Sequence, residues 1–82
     1  MIEKQIRELI ESPIQEMGID VDNVEYVKEG SNYFLRITID RAQPIDVDTC
    51  VEVTRVVNPI LDEADIIKDS YILDISSKEK GD

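Results

Sequence analysis

Acidic side chains stand close together at three places in this chain: Asp20, Asp22 and Glu25; Asp46 and Asp48; and Asp62, Glu63 and Asp65. Carboxylates are oxygen ligands for hard divalent cations, so metal chemistry would begin at these runs. None has the right spacing. A calcium loop of the EF-hand type needs alternating acids, a central glycine and a closing bidentate glutamate, and Asp20–Glu25 supplies neither the length nor the glycine. The tetrapeptide Ile-Asp-Val-Asp at 19–22 and again at 45–48 opens a structural element each time, where an acid faces solvent or a backbone amide. Helix capping and solvated loop edges account for these acids, and no metal site is expected. Nucleophilic chemistry fares no better. There is no histidine, no CxxC and no glycine-rich phosphate loop. The one cysteine, Cys50, falls on an apolar helical stripe without a basic neighbour, where a thiol packs rather than ionises. The residues point to a protein that binds rather than catalyses, with no cofactor.

Nineteen acidic against nine basic residues leave a net charge of −10. Free DNA is repelled by such a surface, whereas a basic protein or the basic face of a ribonucleoprotein is attracted, most strongly at low salt. A single cysteine allows no disulfide framework within the chain, as suits the reducing cytoplasm. The N-terminal segment carries Glu3, Lys4, Arg7 and Glu8, unlike a secretory leader, and no apolar run approaches the roughly 20 residues of a membrane span. A soluble cytoplasmic chain with no membrane partner is expected.

Elements that could position a binding surface follow from periodicity. Ile2, Ile6, Leu9, Ile10, Ile14 and Met17 recur at helical spacing, and Gly18 ends the pattern, so a helix is predicted over about Ile2–Met17 with a kink, or a break into two shorter pieces, at Pro13. Gly30-Ser31 forms the centre of a type II′ turn, because its first position must take a positive φ. The hairpin register follows: Glu29 faces Asn32, Lys28 faces Tyr33, Val27 faces Phe34, Tyr26 faces Leu35, Glu25 faces Arg36, and Val24 faces Ile37. Beyond a loop over Arg41–Ile45, Asp46 caps a second helix whose predicted buried stripe is Val47, Cys50, Val51, Thr54, Val57 and Leu61, with an irregular end near Asn58-Pro59. Leu61–Asp69 reads as an acidic connector. Alternation over Tyr71–Ser76 marks a third strand, and the tail from Ser77, which carries no apolar residue, is expected to fray.

The order α-β-β-α-β predicts an α+β two-layer sandwich, with both helices on one face of a three-stranded sheet. Val24, Tyr26, Leu35, Ile37, Ile39, Tyr71, Leu73 and Ile75 point inward, so Leu73→Asp should unfold the chain. The outer face holds Glu25, Val27, Phe34, Arg36, Thr38, Ile72 and Asp74, in which Val27, Phe34 and Ile72 form an apolar island among charges. Together with Lys28, these residues except Thr38 are the candidate partner-binding set. The inward phase of Tyr26 and Tyr71 and the absence of a GXXG loop argue against direct sequence-specific RNA binding, although Lys28, Arg36 and Arg41 remain possible phosphate contacts within a larger complex.

The words Val24-Glu-Tyr-Val-Lys-Glu-Gly30, Leu35-Arg-Ile-Thr-Ile-Asp40, Ile45-Asp-Val-Asp-Thr-Cys50, Leu61-Asp-Glu-Ala-Asp65 and Tyr71-Ile-Leu-Asp-Ile-Ser-Ser77, in this order and spacing, resemble the N-terminal domain of the ribosome maturation factor RimP family. The resemblance covers nearly the whole chain. It implies a KH-like fold and a factor for small (30S) subunit maturation that acts by binding a ribosomal protein or the nascent subunit, not by catalysis. It also implies the domain division: residues 1–77 as the RimP-like N-terminal domain and 78–82 as a flexible tail. Where the family continues from Ser-Ser into Pro-Gly-Leu-Asp-Arg-Pro-Leu and an SH3-like barrel, Ser76-Ser77 here is followed by Lys-Glu-Lys-Gly-Asp, so that second domain is expected to be absent. The alternative reading is a generic protein-interaction or self-association module.

Overall fold

A computed structural model describes residues 2–78. It contains α1 (Ile2–Glu16), β1 (Asp20–Glu29), β2 (Asn32–Asp40), α2 (Val47–Ala64) and β3 (Tyr71–Ser77). The α-β-β-α-β order is as the periodicity predicts.

Helix α1 buries Ile6, Ile10 and Ile14, one residue per turn along a single stripe. Pro13 lies inside it without ending it, and Gly18 turns the chain with φ of 78°. The hairpin has the predicted register at every rung from Val24↔Ile37 to Glu29↔Asn32, and Gly30 takes φ of 64°. Strand β1 also starts earlier than the hairpin motif indicates. A bulge between Val21 and Asn23 inserts Asp22, which resets the alternation so that Val21 and Val24 both turn inward. Arg7 of α1 satisfies the displaced backbone, donating from Nη2 to the Val21 carbonyl at 2.8 Å and from Nη1 to that of Asp22 at 3.5 Å.

Strand order is β1-β2-β3, with β2 antiparallel to β1 and parallel to β3. Centrally placed β2 therefore buries Leu35, Ile37 and Ile39 completely, and these meet Ile6, Ile10 and Ile14 of α1 and Val53 and Val57 of α2 in one core. Both helices lie on this face. Ser77 belongs to β3, and Lys78 extends the ladder by donating its N–H to the Ile39 carbonyl at 2.7 Å. The remainder of the expected loose tail lies outside the described residues.

Helix α2 corrects the sequence reading twice. Its buried stripe is Thr49, Val53, Val57 and Leu61, whereas Val47 and Val51 are exposed, by 77% and 43%. The cap explains the phase: Asp46 Oδ1 accepts from both the Thr49 backbone N–H (2.8 Å) and its hydroxyl (2.6 Å), which turns Thr49 inward and Val47 outward. Cys50 is half-buried against the core. The second correction is at the other end. Instead of becoming irregular at Pro59, the helix runs to Ala64, and Asp65 closes it in the left-handed region (φ 50°) with its N–H donating to Leu61. Burying Leu61 on the stripe begun by Thr49 favours continuation over the local cost of proline.

Candidate functional site

The outer face of the sheet is left uncovered by the helices and is organised around Arg36. Its guanidinium forms a two-pronged pair with Glu29, Nη2 to Oε1 at 2.8 Å and Nη1 to Oε2 at 3.1 Å, while Asp74 Oδ2 lies 4.0 Å from Nε. Glu25, its direct cross-strand partner, contributes through its charge alone. The hydrogen bond from Arg36 holds the Glu29 carboxyl below the usual carboxylate range, and the same bond raises Arg36. To reach Glu29 the side chain runs along β2 toward the turn and passes over the Phe34 ring, 5.1 Å from its centroid.

The three residues of the expected apolar island stand in one cross-strand row, Val27 opposite Phe34 and Phe34 opposite Ile72. Val27 and Phe34 are half-buried, Phe34 beneath the guanidinium, whereas Ile72 of β3 stands 48% exposed. Glu25, Val27, Phe34, Arg36, Ile72 and Asp74 share this face. Lys28 does not: it points to the helix side, with Nζ 5.5 Å from the Tyr33 ring centroid. Glu29 is the residue that the sequence reading missed here, although its parity on β1 matches that of Glu25 and Val27.

The tyrosines gather on the helix side near the turn. Tyr26 and Tyr33 stack with centroids 5.3 Å apart and planes 8° from parallel, and Tyr33 sits opposite Tyr71. The Tyr26 hydroxyl is buried without a hydrogen-bond partner. Burial, and then the Asp69 carboxylate, raise its pKa; Tyr71 is raised by burial and by Asp62. Beside this cluster an open groove of about 450 Å³ separates the C-terminal half of α2 from β3, lined by Asn58, Asp62, Asp69, Ser70, Tyr71 and Leu73.

Arg41 acts in the loop instead. It donates to the carbonyls of Gln43 (3.3 Å) and Pro44 (2.7 Å) and reaches Thr49 Oγ1 (3.4 Å), so it braces the start of α2. Among the described residues the acidic runs do not converge into a group that could hold a metal ion. No helix among them is long and apolar enough to cross a membrane. The outer face thus presents the carboxylates of Glu25, Glu29 and Asp74 together with one exposed isoleucine, Ile72. In comparison with known families, residues 9–78 match the model described as the RimP N-terminal domain.

Proposed function

The chain belongs to the RimP N-terminal domain family, and from that premise we propose that it is a binding domain of a ribosome maturation factor, engaging the small (30S) subunit or a basic ribosomal protein in the cytoplasm without catalysing a reaction. The observation that carries this reading is the uncovered outer face, where Glu25, Glu29 and Asp74 surround Arg36 and Ile72 stands exposed opposite Phe34. Carboxylates outnumber cations there, in keeping with the net charge of −10, so long-range attraction selects basic partners. The half-buried Val27 and Phe34 supply an apolar centre once the partner displaces the Arg36 side chain.

Sedimentation of the labelled chain with free small subunits and with assembled ribosomes, at low and high salt, tests the function. Salt-sensitive binding restricted to free small subunits is expected; binding to neither, or to both equally, overturns the reading. Charge reversal at Glu25 and Asp74, and Phe34→Lys, should each weaken that binding while the fold persists. Unchanged affinity in all the variants would move the site elsewhere.

A further inference from the structure

The two edges of the sheet are guarded differently. A sheet edge presents unpaired backbone donors and acceptors, and proteins blunt it with bulges, charges or proline. Strand β1 has such guards: the bulge at Asp22, Arg7 covering the Val21 and Asp22 carbonyls, and a sequence rich in charge. Strand β3 is guarded far less. Its register against β2 runs unbroken from Tyr33↔Tyr71 to Ile39↔Ser77, it contains no proline, and Asp74 is its one charged residue. Among the described residues no strand lies beyond it.

Lys78 donates its N–H to Ile39 of β2, so by strand alternation Ile72, Asp74 and Ser76 also direct their N–H and C=O groups to β2. Tyr71, Leu73, Ile75 and Ser77 therefore direct theirs to the open edge. The side chains of Tyr71, Leu73 and Ile75 are moreover only half-buried, although they face the helices, while Leu35, Ile37 and Ile39 one strand away are fully buried. Helix α2 stops short of covering β3, and the groove between them is walled by Asp62 and Asp69.

We propose that the β3 edge is a strand-addition site that takes an extended basic segment of a partner protein as a fourth strand, its backbone pairing with Tyr71, Leu73 and Ile75 and its lysine or arginine side chains entering the groove toward Asp62 and Asp69. The inference rests on the reading of the domain as a binder of basic ribosomal components. An added strand supplies what the edge lacks, namely alternating donors and acceptors in one line and, from the aliphatic stems of its basic side chains, apolar cover for Leu73 and Ile75. Charge selects the occupant. A second copy would bring together two chains of net charge −10 and set acid against acid, and a nucleic acid would meet the carboxylates with phosphates.

The test uses a synthetic peptide alternating lysine and valine, and the same peptide with alternate backbone nitrogens methylated, which keeps the side chains and removes the donors. Hydrogen exchange is followed at single amides of the full chain. The unmodified peptide should slow exchange at Leu73 and Ile75 by about tenfold or more, while the amides of Ile72 and Asp74, already bonded to β2, change little. Replacing both carboxylates, Asp62→Asn with Asp69→Asn, should weaken peptide binding about fivefold. Equal binding of the methylated peptide, protection confined to the outer face, or a dimer formed through β3 without peptide each overturns the proposal. The sedimentation experiment separates the two readings: wild-type binding to small subunits with no peptide effect at β3 rejects the edge alone, and edge protection without subunit binding rejects the ribosomal role alone.

Discussion

Arg36 lies along its strand instead of straight across it, and the outer face takes its character from that geometry. By closing on Glu29 it shields the Phe34 ring and leaves Ile72 as the exposed apolar residue of the face. Arg36→Ala should uncover Phe34 and raise the binding of an environment-sensitive dye, and carboxyl resonances should show Glu29 titrating back in the ordinary range. The sign of the pH effect follows. A carboxyl whose pKa is lowered by folding contributes stability above its unfolded value, about 4.3 for glutamate, and loses it as pH falls through the folded one. The stability difference between wild type and Arg36→Ala, measured by urea unfolding, should therefore be largest at neutral pH and shrink in acid to the part that comes from uncovering Phe34. Asp46 obeys the same sign, because the Thr49 hydroxyl and then its backbone N–H hold its carboxyl low. Asp46→Ala should lower the melting temperature, and Asp46→Asn should keep most of the cap while losing its acid dependence. Glu25 and Arg36 are opposed in the sequence register; that the guanidinium prefers Glu29 depends on side-chain reach and could not be read from pairing alone.

At the scale of elements, the hairpin was legible from Val24 to Ile37 because glycine at the turn and strict alternation leave one register that buries a single face, whereas the bulge at Asp22 breaks that alternation and escaped it. Helix α2 was legible in existence and cap but not in phase. Val47, Cys50 and Val51 make as good a stripe on paper as Thr49 and Val53, and the choice between them falls to the cap geometry and the packing of the helix on β2 and β3. Val47→Lys and Val51→Lys should accordingly change stability by no more than about 0.5 kcal/mol, whereas Val53→Lys places an unpaired charge in the core and should unfold the domain. Denaturant titration of the three variants checks the phase directly. Position in the sheet grades the strands in the same way. Ile37→Ala, on central β2, should cost about 2–5 kcal/mol; Leu73 is half-exposed on the edge, so Leu73→Asp should destabilise without the outright unfolding that alternation alone suggests.

For the whole molecule, the net charge of −10 gives folding and binding opposite responses to salt. Self-repulsion opposes the compact state and is screened by added sodium chloride, so the melting temperature should rise with salt, while affinity for a basic partner should fall. Scanning calorimetry and sedimentation over one salt series measure both slopes, and a shared sign would contradict this electrostatic account. What the sequence by itself determined is whatever depends on local spacing: the element order, the turn, the inward face of each strand, the Asp46 cap and the words that place residues 9–78 in the RimP N-terminal domain family. Only the tertiary structure decided the neighbour of β3, the buried side of α2, the reach of Arg36 and the groove bearing Asp62 and Asp69. The neighbour of β3 and the packing of α2 on the sheet are relations between segments far apart in the chain, chosen by which arrangement buries the most apolar surface at once, while the Arg36–Glu29 pair depends on side-chain reach inside the hairpin, and hydrophobic periodicity carries no record of either.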